Sequence, residues 1–102
     1  MIIVETISDS KKLLKKISAN LLQNKLTACV HISKISNSSY IWKGKIESKK
    51  EYKMSVKTIK KNEQKIIDII QSNHNYEIFE LSKYTVSDLN SDYTKWFKEE
   101  IK

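Results

Sequence analysis

The spacing of apolar residues switches repeatedly along this chain, between every second position and every third or fourth, and each switch marks a new element. Ile2 to Ile7 crowds β-branched residues into IIVETI and reads as a strand. Ser8 and Asp9 offer capping oxygens, after which Leu13, Leu14, Ile17, Leu21 and Leu22 follow a helical stripe to about Asn24. Leu26, Ala28, Val30 and Ile32 then alternate with Thr27, Cys29, His31 and Ser33, the period of a strand. One set points inward, and Cys29 and His31 share the other face. SSYIWKGKIESKKEYKMSVKTI reads as a long hairpin turning at Gly44, where a positive φ costs glycine nothing. A second helix spans about Lys60 to Asn73 and buries Ile66, Ile67 and Ile70. Glu77 to Val86 returns as a strand through Ile78 and Leu81, and Tyr93, Trp96, Phe97 and Ile101 mark a C-terminal helix starting near Asn90. The order is βαββαβ plus a terminal helix, an α+β chain of the ferredoxin-like, split βαβ kind.

Residues 1–102 fit one domain with one modest core. No apolar run approaches the roughly 18 residues that cross a bilayer, so no membrane span is expected. The first residues lack a basic head and a small-residue cleavage pattern, which supports a strand over a leader. A lone cysteine excludes an intrachain disulfide and suits the reducing cytoplasm. The net charge of +7 comes from 19 basic residues, every one a lysine. Those lysines are scattered among acids, and no arginine is present for bidentate phosphate or base contacts. Nucleic acid is therefore not the expected partner.

Five short stretches, taken in order, resemble the CutA family of divalent-cation tolerance proteins. They are Leu26-Thr27-Ala28-Cys29-Val30-His31, Tyr40-Ile41-Trp42-Lys43-Gly44-Lys45, Lys57-Thr58-Ile59, His74-Asn75-Tyr76-Glu77-Ile78-Phe79-Glu80 and Tyr93-Thr94-Lys95-Trp96. The resemblance implies a homotrimer of ferredoxin-like subunits, similar in architecture to PII signalling proteins. It also implies a part in tolerance of divalent metals, copper in particular, and no catalytic residues. This chain departs from the family at Asn75 and Phe79, where the family has proline, and so lacks two fixed φ angles there. Where copper-binding members carry a cysteine and a His-His pair, it has Glu5, Asn73 and His74.

Candidate site residues follow from both readings. The end of the second helix crowds His74, Tyr76, Glu77 and Glu80 into one junction, which suits a metal or small-ligand pocket. The plainer reading of His74 is an imidazole capping a helix C-terminus. For the metal, copper or another divalent cation, we expect His74 and Glu5 to meet at one rim, with Tyr76 and Glu77 lining the cleft. The strand spacing of Cys29 and His31 offers a local alternative, which needs a neighbouring subunit to complete it. Cys29 otherwise reads as a small packed residue, and Lys57 as a solvated lysine that can hold an anion. Tyr40 and Trp42 flank the hairpin turn with little of their own domain to bury against, and so mark a subunit interface. The competing function is a PII-like regulator that reports ligand occupancy to a protein partner.

Overall fold

A computed structural model describes residues 1–102. The elements are β1 (Ile2–Ser8), α1 (Lys11–Gln23), β2 (Val30–Trp42), β3 (Lys45–Thr58), α2 (Lys60–Asn73), β4 (Leu81–Thr85) and α3 (Ser91–Glu100). The four strands form one antiparallel sheet in the order β2-β3-β1-β4. The βαββαβ order and terminal helix expected from the apolar spacing are therefore present.

Period two assigns the faces. Val4 on β1 and Met54 and Val56 on β3 point to one side, where they meet Leu14, Ile17 and Leu21 of α1 and Ile66 and Ile70 of α2. Each such buried side chain contributes about 1.5–3 kcal/mol over its exposed state. Ile67, expected in the core, is only half-buried, while Ile69 packs against it. The opposite face of the sheet carries no helix from this core. It presents Glu5, Ser55 and His31 in one cross-strand row, the pattern of an antiparallel sheet covered on one side.

The ends of elements differ from expectation for identifiable reasons. Ser10, not Ser8 or Asp9, caps α1, its hydroxyl accepting from the amide of Leu13 at 3.1 Å. Ser8 instead accepts from the Ser10 amide. β2 starts at Val30 rather than Leu26, because Leu26 and Thr27 are buried in the connection. There the Thr27 hydroxyl donates to the Lys57 carbonyl, and Thr58 and Asn62 side chains both donate to the Leu26 carbonyl. β4 is shorter than Glu77–Val86, because residues 74–80 are occupied with side-chain ties and not with a ladder. Asn90 caps α3 as expected, accepting from the amides of Asp92 and Tyr93.

The β2–β3 hairpin turns through Lys43 (φ 50°) and Gly44 (φ 78°), a two-residue turn with both φ values positive that matches strand twist. β1 pairs with β3 only as far as Tyr52. Beyond it, residues 45–51 pair with β2 alone, so the outer half of the hairpin is a two-stranded ribbon. The ribbon leaves Ile41 76% and Ile46 82% exposed and helps give the chain its 47 × 27 × 20 Å outline.

Candidate functional site

Two groups of candidate residues lie in different places. The first is on the sheet face opposite α1 and α2. Cys29, the residue just before β2, and His31, the strand's second residue, bring Sγ to 3.6 Å from Nε2. The backbone of Lys57, on β3, donates to the Cys29 carbonyl, which fixes where that thiol begins. The Lys57 ammonium donates to the Tyr93 hydroxyl at 3.1 Å and stands 5.0 Å from its ring centre. Tyr93, with smaller help from the charges of Cys29 and Asp88, holds the Lys57 pKa above its ordinary value. Lys57 is thus tied to α3, which overturns the expectation of a freely solvated lysine.

Glu5 belongs to this same face. Its Oε2 accepts from Ser55 at 2.6 Å and from the Tyr84 hydroxyl at 3.3 Å. Burial first, and then the Glu5 carboxylate, raise the Tyr84 pKa. Register places Ser55 between Glu5 and His31, so Glu5 is not part of the Cys29–His31 contact.

The second group surrounds the end of α2. His74 Nδ1 accepts from the amide of Tyr76 at 3.0 Å, which puts the ring proton on Nε2. Nε2 lies 2.9 Å from the carbonyl of Ile7 and donates to it. The ring stacks on Phe79 at 4.2 Å and 9°. Burial lowers the His74 pKa, while the Ile7 carbonyl and the Asp9 charge oppose that shift. The expected pairing of His74 with Glu5 is therefore corrected. Both imidazole nitrogens are engaged within the chain, and Glu5 is bonded to Ser55 and Tyr84.

Residues that spacing alone did not single out build the rest of this junction. Tyr76 donates to Glu51 Oε2 at 2.6 Å, and burial, followed by that bond, pushes its pKa up to about 12. The Lys49 ammonium sits 4.2 Å from the Tyr76 ring centre and 5.8 Å from that of Tyr40, and pairs with Asp9 at 3.6 Å. Tyr76, ahead of the neighbouring charges, raises the Lys49 pKa. Asn75 donates to Asp9 at 2.8 Å and accepts from the Ser8 hydroxyl, so its amide ties the loop where a proline ring is missing. Glu77 and Glu80 are exposed and lie in the connection before β4, not in the strand expected from Glu77. No set of three or more His, Cys, Asp or Glu side chains gathers around a metal-sized space. On the ribbon, Tyr40 and Trp42 remain 37% and 45% exposed.

Comparison with known proteins adds an independent line. Residues 1–100 match the family described as CutA1 divalent ion tolerance protein. A divalent-cation tolerance protein CutA of Salmonella newport is 33% identical over 86 residues, 84% of this chain and 75% of the relative. The structure is similar to that of CutA1 from Pyrococcus horikoshii, with a TM-score of 0.91 at 32% identity, covering 100% of this chain and 99% of that one. CutA1 from Oryza sativa gives a TM-score of 0.90 at 26% identity, covering 99% of this chain and 93% of that chain.

Proposed function

The chain belongs to the CutA1 divalent ion tolerance family, and on that premise we propose that it serves divalent-cation tolerance by capturing copper or a similar ion on Cys29 and His31. The observation that supports this reading is the 3.6 Å separation of Cys29 Sγ and His31 Nε2. One ion spans such a gap at ordinary metal–sulfur and metal–nitrogen distances of about 2.3 and 2.0 Å. A thiolate with an imidazole favours soft and borderline ions such as copper and zinc over magnesium or calcium. Two donors leave the shell incomplete. Water or a neighbouring copy supplies the rest, in keeping with a homotrimer assembled through Tyr40 and Trp42. The protein binds and does not turn over a substrate, and the free Cys29 thiol fits a reducing compartment such as the cytoplasm.

A second reading, a PII-like regulator with a protein partner, draws on the ribbon beyond Tyr52, which projects without a third strand. Anaerobic titration of copper and zinc into wild type, Cys29→Ser, His31→Gln and His74→Gln tests the first reading. We expect the Cys29 and His31 variants to lose about tenfold or more in affinity, as for loss of one ligand of a small set, and His74→Gln to match wild type. Wild-type binding should also weaken as pH falls, because a protonated imidazole cannot ligate. Equal affinity in wild type, Cys29→Ser and His31→Gln would remove the pair from the site.

A further inference from the structure

We propose that the outward face of α1 and α2 docks the protein on a lipid surface rich in anionic headgroups. Along the sequence lysines alternate with acids, but folding separates the two. α1 carries Lys11, Lys12, Lys15 and Lys16, all exposed, and no acid. α2 adds Lys60, Lys61 and Lys65, also exposed, and its own acids are occupied. Glu63 is buried and holds Lys60 at 3.4 Å and Lys83 at 2.9 Å, while Asp68 accepts from Gln64 at 2.9 Å. Asp9, just before α1, pairs with Lys49 at 3.6 Å. Lys11, Lys12, Lys15, Lys16, Lys61 and Lys65 take part in none of the chain's ion pairs.

These lysines stand where they serve their own helices worst. Lys11 and Lys15, Lys12 and Lys16, and Lys61 and Lys65 are spaced i, i+4, so the members of each pair repel one another. Lys11, Lys12, Lys60 and Lys61 fill first turns, where the helix dipole disfavours a cation, and neither last turn has a basic residue. An anionic partner relieves both penalties. The make-up of the face selects among such partners. It offers ammonium point charges on flexible stems, with no guanidinium for bidentate contacts, and neither helix has an aromatic ring on which a base could stack. Anionic headgroups require neither, and each lysine near such a surface adds about fivefold in affinity. Leu22, 41% exposed, is the one large apolar side chain exposed on either helix and gives the headgroup layer a hydrophobic contact. An assembly that joins the ribbon to the opposite sheet face leaves α1 and α2 outside, with these lysines still in solvent.

The test is sedimentation of the assembled protein with vesicles. Vesicles of phosphatidylglycerol and phosphatidylcholine in equal parts should carry it down at low salt and release it as salt is raised, and phosphatidylcholine alone should not bind it. Lys12→Gln combined with Lys16→Gln keeps helix propensity and should weaken binding about thirtyfold. Lys95→Gln combined with Lys98→Gln removes the same charge from α3, which meets the opposite sheet face through Tyr93 and Lys57, and should weaken binding no more than about twofold. Cys29→Ser should leave it unchanged, which keeps this result distinct from the fate of the metal reading. No binding to the anionic vesicles, equal binding to phosphatidylcholine alone, or equal losses in the two double variants overturns the proposal. Duplex DNA that binds through Lys12 and Lys16 while the vesicles do not overturns it as well and assigns the face to nucleic acid.

Discussion

His74 donates from Nε2 to the Ile7 carbonyl and accepts at Nδ1 from the Tyr76 amide, so its neutral ring ties α2's end to β1 and sets the path of residues 74–80. Protonation removes the acceptor at Nδ1 and breaks the Tyr76 tie. Because burial holds the folded pKa below the ordinary 6.5, the unfolded chain binds the proton more readily, and stability rises with pH. The stabilisation is fully present above 6.5 and is lost as pH falls through that value and then the depressed folded one. Thermal unfolding measured between about pH 8 and about pH 5 should show a falling midpoint that flattens in His74→Gln and persists in His31→Gln. An unchanged slope in His74→Gln would remove the imidazole as its cause. The sequence marked His74 either as a ligand or as a cap on the carbonyls of α2's end, and the ring bonds the Ile7 carbonyl and the Tyr76 amide instead. Only the folded chain brings in Ile7, far away in sequence, whose carbonyl consumes the nitrogen a metal needs. The same distance hid Lys49, Glu51 and Asp9, whose partners lie on other elements.

Elements with a strong period were legible nearly to the residue: α2 spans Lys60–Asn73 as its isoleucines indicate, and the hairpin turns at Gly44. Elements whose ends depend on distant partners were not. β2 starts late because Thr27, Thr58 and Asn62 satisfy the connection with side chains, and polar residues buried on a helix leave no mark in an apolar pattern. Asn62 donates to the carbonyls of Leu26 and Lys102, both at 3.2 Å, joining α2 to the α1–β2 connection and to the last residue of the chain. Asn62→Ala removes both bonds while Thr58 still donates to Leu26, and should cost about 0.5–1.5 kcal/mol in denaturant unfolding. Loss of only a few tenths would mean that water replaces the amide. At the turn, space is not the constraint, since a Cβ on Gly44 meets nothing within 4 Å. Backbone conformation is, at φ 78°, so Gly44→Ala should cost about 1–2 kcal/mol in the same experiment. A neutral result would show that the ribbon's turn relaxes without penalty.

At the scale of the whole molecule, the sheet face opposite α1 and α2 and the partly exposed ribbon aromatics Tyr40 and Trp42 leave surface for a further copy. Assembly supplies it under the proposed trimer. Light scattering should then give about three times the 12.0 kDa chain mass at micromolar concentration. Trp42→Ala should weaken that assembly, by up to about 3–5 kcal/mol if the indole is fully buried between copies. A wild-type mass near one chain would sink the trimer, and an unaltered dissociation midpoint in Trp42→Ala would take the indole out of the contact. The ribbon has a further consequence for how the chain is destroyed. Beyond Tyr52 it is held by β2–β3 pairing alone, so it is the segment that opens at least cost, with exposed Lys43 and Lys45 at its tip. A trypsin-like protease needs an extended lysine-bearing strand, so limited trypsin digestion of the chain should cut first at Lys43 or Lys45, and under the proposed trimer that cut should slow as copies assemble.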